Sequence, residues 1–275
     1  MLETPDLERR FGGLVRLYGA EGAAKIRAAH VVVAGIGGVG SWAAEALARS
    51  GVARLTLIDL DHIAESNINR QIHALSTTLG QSKVQAMRER IAGINPDCDV
   101  RCVEEFVDAT NWPGIAQLDL QTEASFSILD ACDQVKAKVA MAAWALQHKA
   151  NFITVGAAGG KRHAHKVDID DLAFVTHDPL LAQLRYRLRK EHGAARQGKI
   201  GIHGVFSREP VMQPATTLET AQDGTQNEAI SDSSLNCHGY GSVVSVTATF
   251  GICAAGWLLD KIASQAFAKQ PKTTL

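Results

Sequence analysis

Polar and cationic side chains cluster directly after an apolar segment in the first third of the sequence. Residues 54–59, RLTLID, read as a β-strand that ends in an acid, and the stretch ESNINRQIHALSTTLGQSK follows at 65–83. Arg70 can clamp phosphate oxygens with a planar guanidinium, and Lys83 can reach phosphate as a point charge. An enzyme that activates a carboxylate with ATP needs such groups, because it must hold the triphosphate and stabilise the leaving pyrophosphate. We therefore predict an ATP-activating site that contains both cations.

A glycine loop precedes this cluster. The segment GIGGVG places Gly35, Gly37 and Gly40 in the order G-x-G-x-x-G, after an apolar run and before a helical pattern. Glycines let the backbone approach phosphates, and the following helix N-terminus favours an anion. Asp59 ends the next strand, where a carboxylate can bind ribose hydroxyls. The loop predicts a nucleotide site without separating NAD from ATP.

A further carboxylate completes the predicted catalytic set. Asp130 ends a fourth apolar segment in LDACD. A carboxylate at that strand end can hold Mg²⁺ across the phosphates. We therefore predict Asp130 as the metal ligand, with Arg70 and Lys83 as catalytic cations. Lys83 follows GQS and is expected to lie outside the core.

Strand-like and helix-like segments alternate from residue 30 to residue 156, which predicts an α/β fold with a Rossmann-like, doubly wound, mostly parallel sheet. Two short helices joined near Gly19 are expected before it, over residues 6–28. We predict a single domain over residues 1–275. Residues 30–156 form its nucleotide-binding core, and residues 157–275 form a substrate-side elaboration with a C-terminal helix.

Composition narrows the cellular setting. Apolar residues make up 46% of the chain, so a large core is expected. The net charge is −1, so any contact with nucleic acid must come from a local group of basic residues. The five cysteines form no C-x-x-C pair, which argues against disulfides and against a four-cysteine zinc site. Residues 239–259 carry no charge. Their glycines and hydroxyl residues favour a buried core helix over a membrane helix, so we expect a cytoplasmic protein.

The motifs quoted above, together with SNINRQ, GQSK and INP, resemble the adenylating domain of the ubiquitin-activating-enzyme-like (ThiF/MoeB/HesA) superfamily. RFGGLVRLYG, NRQIHAL and VTATFG are similar to its tRNA threonylcarbamoyladenosine dehydratase subfamily along nearly the whole chain. The resemblance implies nucleotide contacts, some of them already argued from the residues themselves. They lie at Gly37, Gly38, Asp59, Asp61, Asn67, Arg70, Gln71, Lys83 and Asp130.

The resemblance also implies a reaction. A threonylcarbamoyl group on the adenosine beside the tRNA anticodon would be adenylated on its carboxylate, and a ureido nitrogen would then close a ring and expel AMP. Ring closure within one molecule is entropically favoured. The implied cofactors are ATP and Mg²⁺. The implied partners are the tRNA anticodon stem-loop, a second copy of the chain and a cysteine-desulfurase system in sulfur relay.

A basic stretch is the candidate tRNA surface. Residues 161–203 hold more basic than acidic residues, and RYRLRKEHGAARQGK adds the aromatic Tyr186. Basic residues on a helix near the site can follow phosphates, whereas the same pattern also suits a solvated helix face. Both readings stay open on sequence alone.

Cys237 raises a second mechanistic choice. It precedes the charge-free segment, and a helix N-terminus would lower the pKa of its thiol. Relatives in the superfamily pass acyl groups to a cysteine, so a thioester at Cys237 competes with direct ring closure from the adenylate. We favour direct closure, because the nucleophile is already tethered to the substrate.

Two departures from the wider superfamily bear on the activity. Gly13 stands where relatives carry an arginine that reaches the partner subunit's ATP, which leaves Arg10 or Arg16 as substitutes. The zinc-binding cysteine pairs of carrier-protein adenylyltransferases are also missing. Both departures favour the dehydratase over activation of a ubiquitin-like sulfur carrier, which is the alternative enzyme. A nucleotide sensor or sulfur-relay scaffold without enzymatic activity is the remaining alternative.

Overall fold

Seven five-residue strands build the centre of the described part of the molecule. The computed structural model describes residues 5–117, 126–212 and 240–264. The strands are β1 His30–Ala34, β2 Arg54–Ile58, β3 Asp99–Val103, β4 Phe126–Asp130, β5 Asn151–Val155, β6 Val167–Asp171 and β7 His203–Ser207. Strands β1, β2, β4 and β5 are rich in valine, isoleucine and leucine and almost wholly buried, as expected when a sheet is covered on both faces.

The strands form one sheet in the order β3-β2-β1-β4-β5-β7-β6. All neighbouring pairs are parallel except β6 and β7, which are antiparallel. The strand order reverses between β1 and β4, and open α/β sheets bind ligands at the carboxyl ends of the strands at such a point. The predicted α/β, Rossmann-like, mostly parallel sheet is confirmed.

Helices cover both faces of the sheet. They are α1 Leu7–Phe11, α2 Gly13–Ala28, α3 Gly40–Arg49, α4 Lys83–Ile94, α5 Val135–His148, α6 Pro179–Glu191 and α7 Val244–Ser264. Alternate residues of β1 show the two layers. Val31 and Val33 pack with α3, α4 and α7, whereas Val32 and Ala34 pack with α5 and α6. The predicted break near Gly19 is present as a kink with φ +72° inside α2.

The charge-free segment supplies α7, which packs against α3, α2 and the sheet. Gly251 shows why small residues recur in it: a Cβ there would lie 2.3 Å from the Val39 carbonyl oxygen. Among the described residues, α7 is the one helix long and apolar enough to cross a membrane, and half of its apolar window is buried. Its packing agrees with the predicted core helix. The division of the chain at residues 156–157 stays a prediction.

Candidate functional site

The glycine loop turns tightly between β1 and α3. Gly35 has φ +87°, and a Cβ on it would lie 2.8 Å from the Ala131 carbonyl carbon and oxygen. A Cβ on Gly40 would lie 1.7 Å from the Gly35 carbonyl oxygen. Around Gly37, by contrast, the nearest atom to a built Cβ is Gln71 Nε2 at 4.0 Å. Gly35 and Gly40 therefore permit the turn itself, whereas Gly37 leaves space for a ligand.

A cavity of about 310 Å³ opens beside this loop at the carboxyl ends of the strands. Its walls contain every predicted nucleotide-contact residue of the loop and of the polar cluster except Gly40. Those residues are Gly35, Gly37, Gly38, Asp59, Asp61, Asn67, Arg70, Gln71 and Lys83. The fold therefore gathers side chains that are far apart in sequence at the place where the strand order reverses.

Asp59 ties the glycine loop to the end of β2. Its carboxylate accepts hydrogen bonds from the backbone N–H of Ile36 at 2.6 Å and of Asp61 at 2.9 Å. Burial raises the pKa of Asp59, and the Lys83 ammonium 3.8 Å away opposes that rise. Each carboxylate oxygen keeps a second lone pair. Asp59 is therefore placed to accept a hydrogen bond from a ribose hydroxyl.

Lys83 starts α4 and is buried in the cavity wall at 6% exposure. Its Nζ lies 2.6 Å from Asp61 Oδ2. The expectation that Lys83 lies outside the core is wrong, because the side chain points inward between Asp59 and Asp61. The pairing holds the ammonium in one place, where it can act as a fixed charge toward phosphate.

Arg70 is half-buried and lines the same cavity. Its Nη1 donates to the Ser66 carbonyl at 2.7 Å and to Asn69 Oδ1 at 2.9 Å. A Cβ built on Gly38 would lie 3.2 Å from Arg70 Cγ, so the stem of the arginine lies across the glycine loop. These contacts direct the guanidinium along the cavity edge.

Asn67 and Gln71 differ in their hydrogen bonding. Asn67 Oδ1 accepts from the Ala64 N–H at 3.0 Å, which stabilises the turn that carries Arg70. Gln71 is 5% exposed, and its Oε1 has no hydrogen-bond partner among the described residues. A buried amide without a partner is costly, so its presence beside Gly37 fits a ligand that satisfies it.

The structure contradicts Asp130 as the metal ligand. Asp130 is fully buried and does not line the cavity. Its Oδ2 lies 3.1 Å from Lys138 Nζ and accepts from Thr154 Oγ1 at 2.6 Å, while its Oδ1 accepts from the Cys132 N–H at 3.1 Å. Both carboxylate oxygens are therefore occupied by hydrogen bonds within the protein. The hydrogen bond from the Cys132 N–H to Asp130 holds the start of the loop after β4.

Asp133 is the acid of the same LDACD motif that reaches the cavity. Its side chain is exposed and lines the cavity wall. In nucleotide sites, Mg²⁺ is usually bound by one or two carboxylates together with the phosphates of the nucleotide. Sequence reasoning missed Asp133, although the motif contains both acids. We also missed the apolar wall made by Ile58, Phe106 and Val107, which suits a planar base.

Burial keeps the described cysteines in the thiol form. It raises the pKa of Cys98 to about 12 and that of Cys132, on the cavity wall, well above its usual range. The pKa values of Cys102 and Cys253 are raised as well. Such thiols are poor nucleophiles at neutral pH. Cys237, the predicted catalytic cysteine, lies outside the described residues.

The basic stretch does not form one surface. Lys161 is 2% exposed and therefore unavailable to RNA. Arg185 Nη1 donates to the carbonyls of Leu172 and Val175, at 3.0 and 2.8 Å, so this guanidinium braces the protein. The C-terminal end of α6 also lies away from the cavity. Ile200, shortly after that helix, donates to Asp171 at the amino end of β7.

Comparisons with known proteins agree with this geometry. The sequence model of the ThiF family matches residues 11–274. The chain is 40% identical to the tRNA threonylcarbamoyladenosine dehydratase of Haemophilus influenzae, over 95% of this chain and 96% of that protein. It is 41% identical to the tRNA threonylcarbamoyladenosine dehydratase of Escherichia coli, over 94% and 95% of the two chains.

A solved structure gives the same result. The E. coli tRNA N6-threonylcarbamoyladenosine dehydratase in complex with ATP matches with a TM-score of 0.80 and 38% identity, over 95% of this chain and 97% of that one. The similarity therefore extends over the sheet and the helices that pack on it. The chain belongs to the ThiF family and, within it, to the tRNA threonylcarbamoyladenosine dehydratases.

Proposed function

We propose that this protein uses ATP to dehydrate threonylcarbamoyladenosine beside the tRNA anticodon to its cyclic form. One observation carries the proposal: a cavity beside the glycine loop brings Arg70, Lys83 and Asp133 together, in a chain that matches named dehydratases over nearly its whole length. The relatives' name supports the tRNA substrate, and the E. coli complex with ATP supports the nucleotide.

The first step activates the substrate carboxylate. A carboxylate oxygen attacks the α-phosphorus of ATP, an acyl–phosphate bond forms, and pyrophosphate leaves. Lys83 and Arg70 both line the cavity and supply positive charge there. Removing one such preorganised charge or donor typically slows an enzyme by roughly 10²–10³-fold. Lys83 is itself buried, and its pairing with the exposed Asp61 holds its ammonium in position.

The second step closes the ring. A ureido nitrogen attacks the acyl carbon, a C–N bond forms, the nitrogen loses its proton to the leaving phosphate or to solvent, and AMP departs. One carboxylate oxygen leaves with AMP, so the base loses the elements of water. The nucleophile is held beside the acyl group by the substrate's own covalent bonds, which lowers the entropic barrier.

Asp133 would hold Mg²⁺, because it is exposed, lines the cavity and belongs to the loop after β4. The ion, when bound, would offset the negative charge that develops on the phosphates. Asp130 would act indirectly, since its hydrogen bond to the Cys132 N–H fixes the loop that carries Asp133.

Direct ring closure needs no protein nucleophile, and the raised pKa values of the described cysteines agree with this route. Replacement of Cys237 by serine tests it. We expect the variant to keep substantial cyclisation, measured as cyclic nucleoside in purified tRNA. Complete loss of cyclic product with normal acyl-adenylate formation would establish a thioester on Cys237 instead.

Assembly and partners are further proposals. Exposed apolar side chains on contacting helices α2 and α7, among them Leu17 and Ile252, support a homodimer. Arg16 is exposed on α2, whereas Arg10 is bonded to the Ile94 carbonyl, so Arg16 is the better candidate to reach a partner subunit's nucleotide. A cysteine-desulfurase partner rests on the family resemblance, and a cytoplasmic location rests on the composition of the chain.

Two measurements test the proposed function. We expect the purified protein, ATP and Mg²⁺ to convert threonylcarbamoyladenosine in tRNA to a nucleoside lighter by one water, with one AMP formed per conversion. Pyrophosphate exchange that depends on a ubiquitin-like carrier protein and not on tRNA would favour the alternative adenylyltransferase. Nucleotide binding without AMP formation would favour a sensor or scaffold.

A further inference from the structure

A group of exposed basic side chains lies beside the cavity on the loops that follow β5 and β7. We name it the basic rim; it consists of Arg162, His163, His165, Lys166 and Arg208. The two loops are joined, because the Arg208 N–H donates to the Lys166 carbonyl at 3.0 Å. The rings of His163 and His165 are 5.6 Å apart.

The basic rim begins close to the cavity. Gly156, Ala157 and Ala158 line the cavity and start the same loop. Arg162 is four positions after Ala158, so their Cα atoms are at most about 14 Å apart. The rim therefore lies at the carboxyl edge of the sheet, where a polynucleotide whose modified base enters the cavity must also lie.

The charge of the rim is partly compensated. Arg208 pairs with Asp168, and His163 Nε2 lies 3.8 Å from Glu209 Oε1, whereas Arg162 and Lys166 form no ion pair with any described residue. Glu209 is buried and accepts from the backbone N–H groups of Arg162 and His163, at 3.0 and 2.9 Å. The rim thus presents cations outward and turns its carboxylate inward.

The buried Lys161 stabilises the conformation of the loops that carry the basic rim. It is 2% exposed, and its Nζ donates to the carbonyls of Glu209 at 2.8 Å, His177 at 3.2 Å and Ser207 at 3.5 Å. Ser207 ends β7 and Glu209 follows it, whereas His177 lies between β6 and α6. A buried ammonium with three carbonyl acceptors is saturated, since it has three donors. The lysine is a fixed link between the loops.

We propose that the basic rim binds the sugar–phosphate backbone of the tRNA next to the modified base; this inference rests on the proposed function. Separated, exposed cations suit phosphates spaced along a strand, and imidazole rings suit stacking and hydrogen bonding with unpaired nucleotides. RNA is favoured over an acidic protein because the base and the backbone of one substrate must occupy the cavity and its edge together.

The test compares two charge-matched double variants. Arg162→Gln with Lys166→Gln removes two rim cations. Lys190→Gln with Arg196→Gln removes two exposed cations, one in the last turn of α6 and one just after the helix. Binding of tRNA that carries the modified adenosine is followed by fluorescence anisotropy across a salt series. We expect the rim variant to bind roughly tenfold more weakly or worse. The slope of log Kd against log salt should fall by about 1.4, for two lost contacts to single-stranded phosphates.

The control variant should bind within about twofold of the wild type, and both variants should keep the wild-type ATP affinity and thermal unfolding midpoint. If the rim variant has unchanged tRNA affinity and salt slope while the wild-type protein makes cyclic product, the basic rim does not bind tRNA and the proposed function still stands. Retained tRNA binding with loss of an acidic protein partner would assign the rim to that partner. Wild-type protein that makes no cyclic product would overturn the proposed function as well.

Discussion

Lys138 Nζ lies 3.1 Å from Asp130 Oδ2, and both side chains are fully buried beneath the cavity. The ammonium also donates to Thr154 Oγ1 at 3.1 Å and to the Val155 carbonyl at 2.7 Å. The pair therefore joins the end of β4, the end of β5 and the first turns of α5. It sets the path of the loop that presents Asp133 to the cavity.

Removing the lysine should destabilise the fold strongly. Lys138→Met leaves the Asp130 carboxylate buried without its counter-charge, and we expect a loss of about 3–5 kcal/mol in the free energy of unfolding. Lys136→Met, on the exposed side of the same helix, is the matched control and should change stability by about 0.5 kcal/mol or less. Urea unfolding measures both. Equal unfolding midpoints for the two variants would contradict the structural role of the pair.

Asp133 and Asp130 should behave as different kinds of acid. Asp133→Asn removes the exposed carboxylate at the cavity, so we expect roughly 10²-fold slower AMP formation, a higher Mg²⁺ requirement and a normal unfolding midpoint. Asp130→Asn should instead lower the unfolding midpoint, because Lys138 then lacks its charge partner. If Asp133→Asn keeps the wild-type Mg²⁺ dependence, the metal assignment to this residue is wrong.

His73 should make stability depend on pH. Its ring is 2% exposed, and Nε2 donates to the Ile36 carbonyl of the glycine loop at 2.9 Å. Burial lowers the pKa of His73 from 6.5 to about 4, despite that hydrogen bond. The folded state therefore favours neutral His73. The stability it contributes is complete above the unfolded-state pKa and is lost as the pH falls from about 6.5 to about 4.

The expected loss over that range is about 3 kcal/mol. Urea unfolding near pH 7 and at about pH 4.5 measures it, and comparison with His73→Gln separates this residue from the acids that titrate nearby. The variant should show a smaller loss on acidification than the wild type, while His192→Gln, at an exposed position, should match the wild type. Identical pH dependence in wild type and His73→Gln would refute the assignment.

The sequence predicted the sheet and the glycine loop well because both depend on local patterns. Apolar runs of five residues, separated by helical periodicity, predict parallel strands wherever they fall in the chain. The G-x-G-x-x-G spacing follows from the close approach of Gly35, Gly40 and Ala131. Such short-range requirements are visible in residue types alone.

The errors arose where tertiary partners decide the environment of a charge. Asp130 and Asp133 are three positions apart in one motif, and Lys138 with Thr154 determines which of them is buried. From its type alone, Lys161 is expected to be a surface cation. In the fold its ammonium is surrounded by three carbonyls from distant parts of the chain. A side chain's type gives its charge, but only the fold gives its partners.

Transfer of heavy oxygen from the substrate to AMP tests carboxylate adenylation most directly. The tRNA is prepared with the threonyl carboxylate labelled in both oxygens, and the AMP released during one turnover is analysed by mass spectrometry. The account predicts one labelled oxygen in each AMP, because the carboxylate attacks the α-phosphorus and ring closure breaks the acyl carbon–oxygen bond. Unlabelled AMP, or label found in inorganic phosphate with ADP as the product, would contradict it.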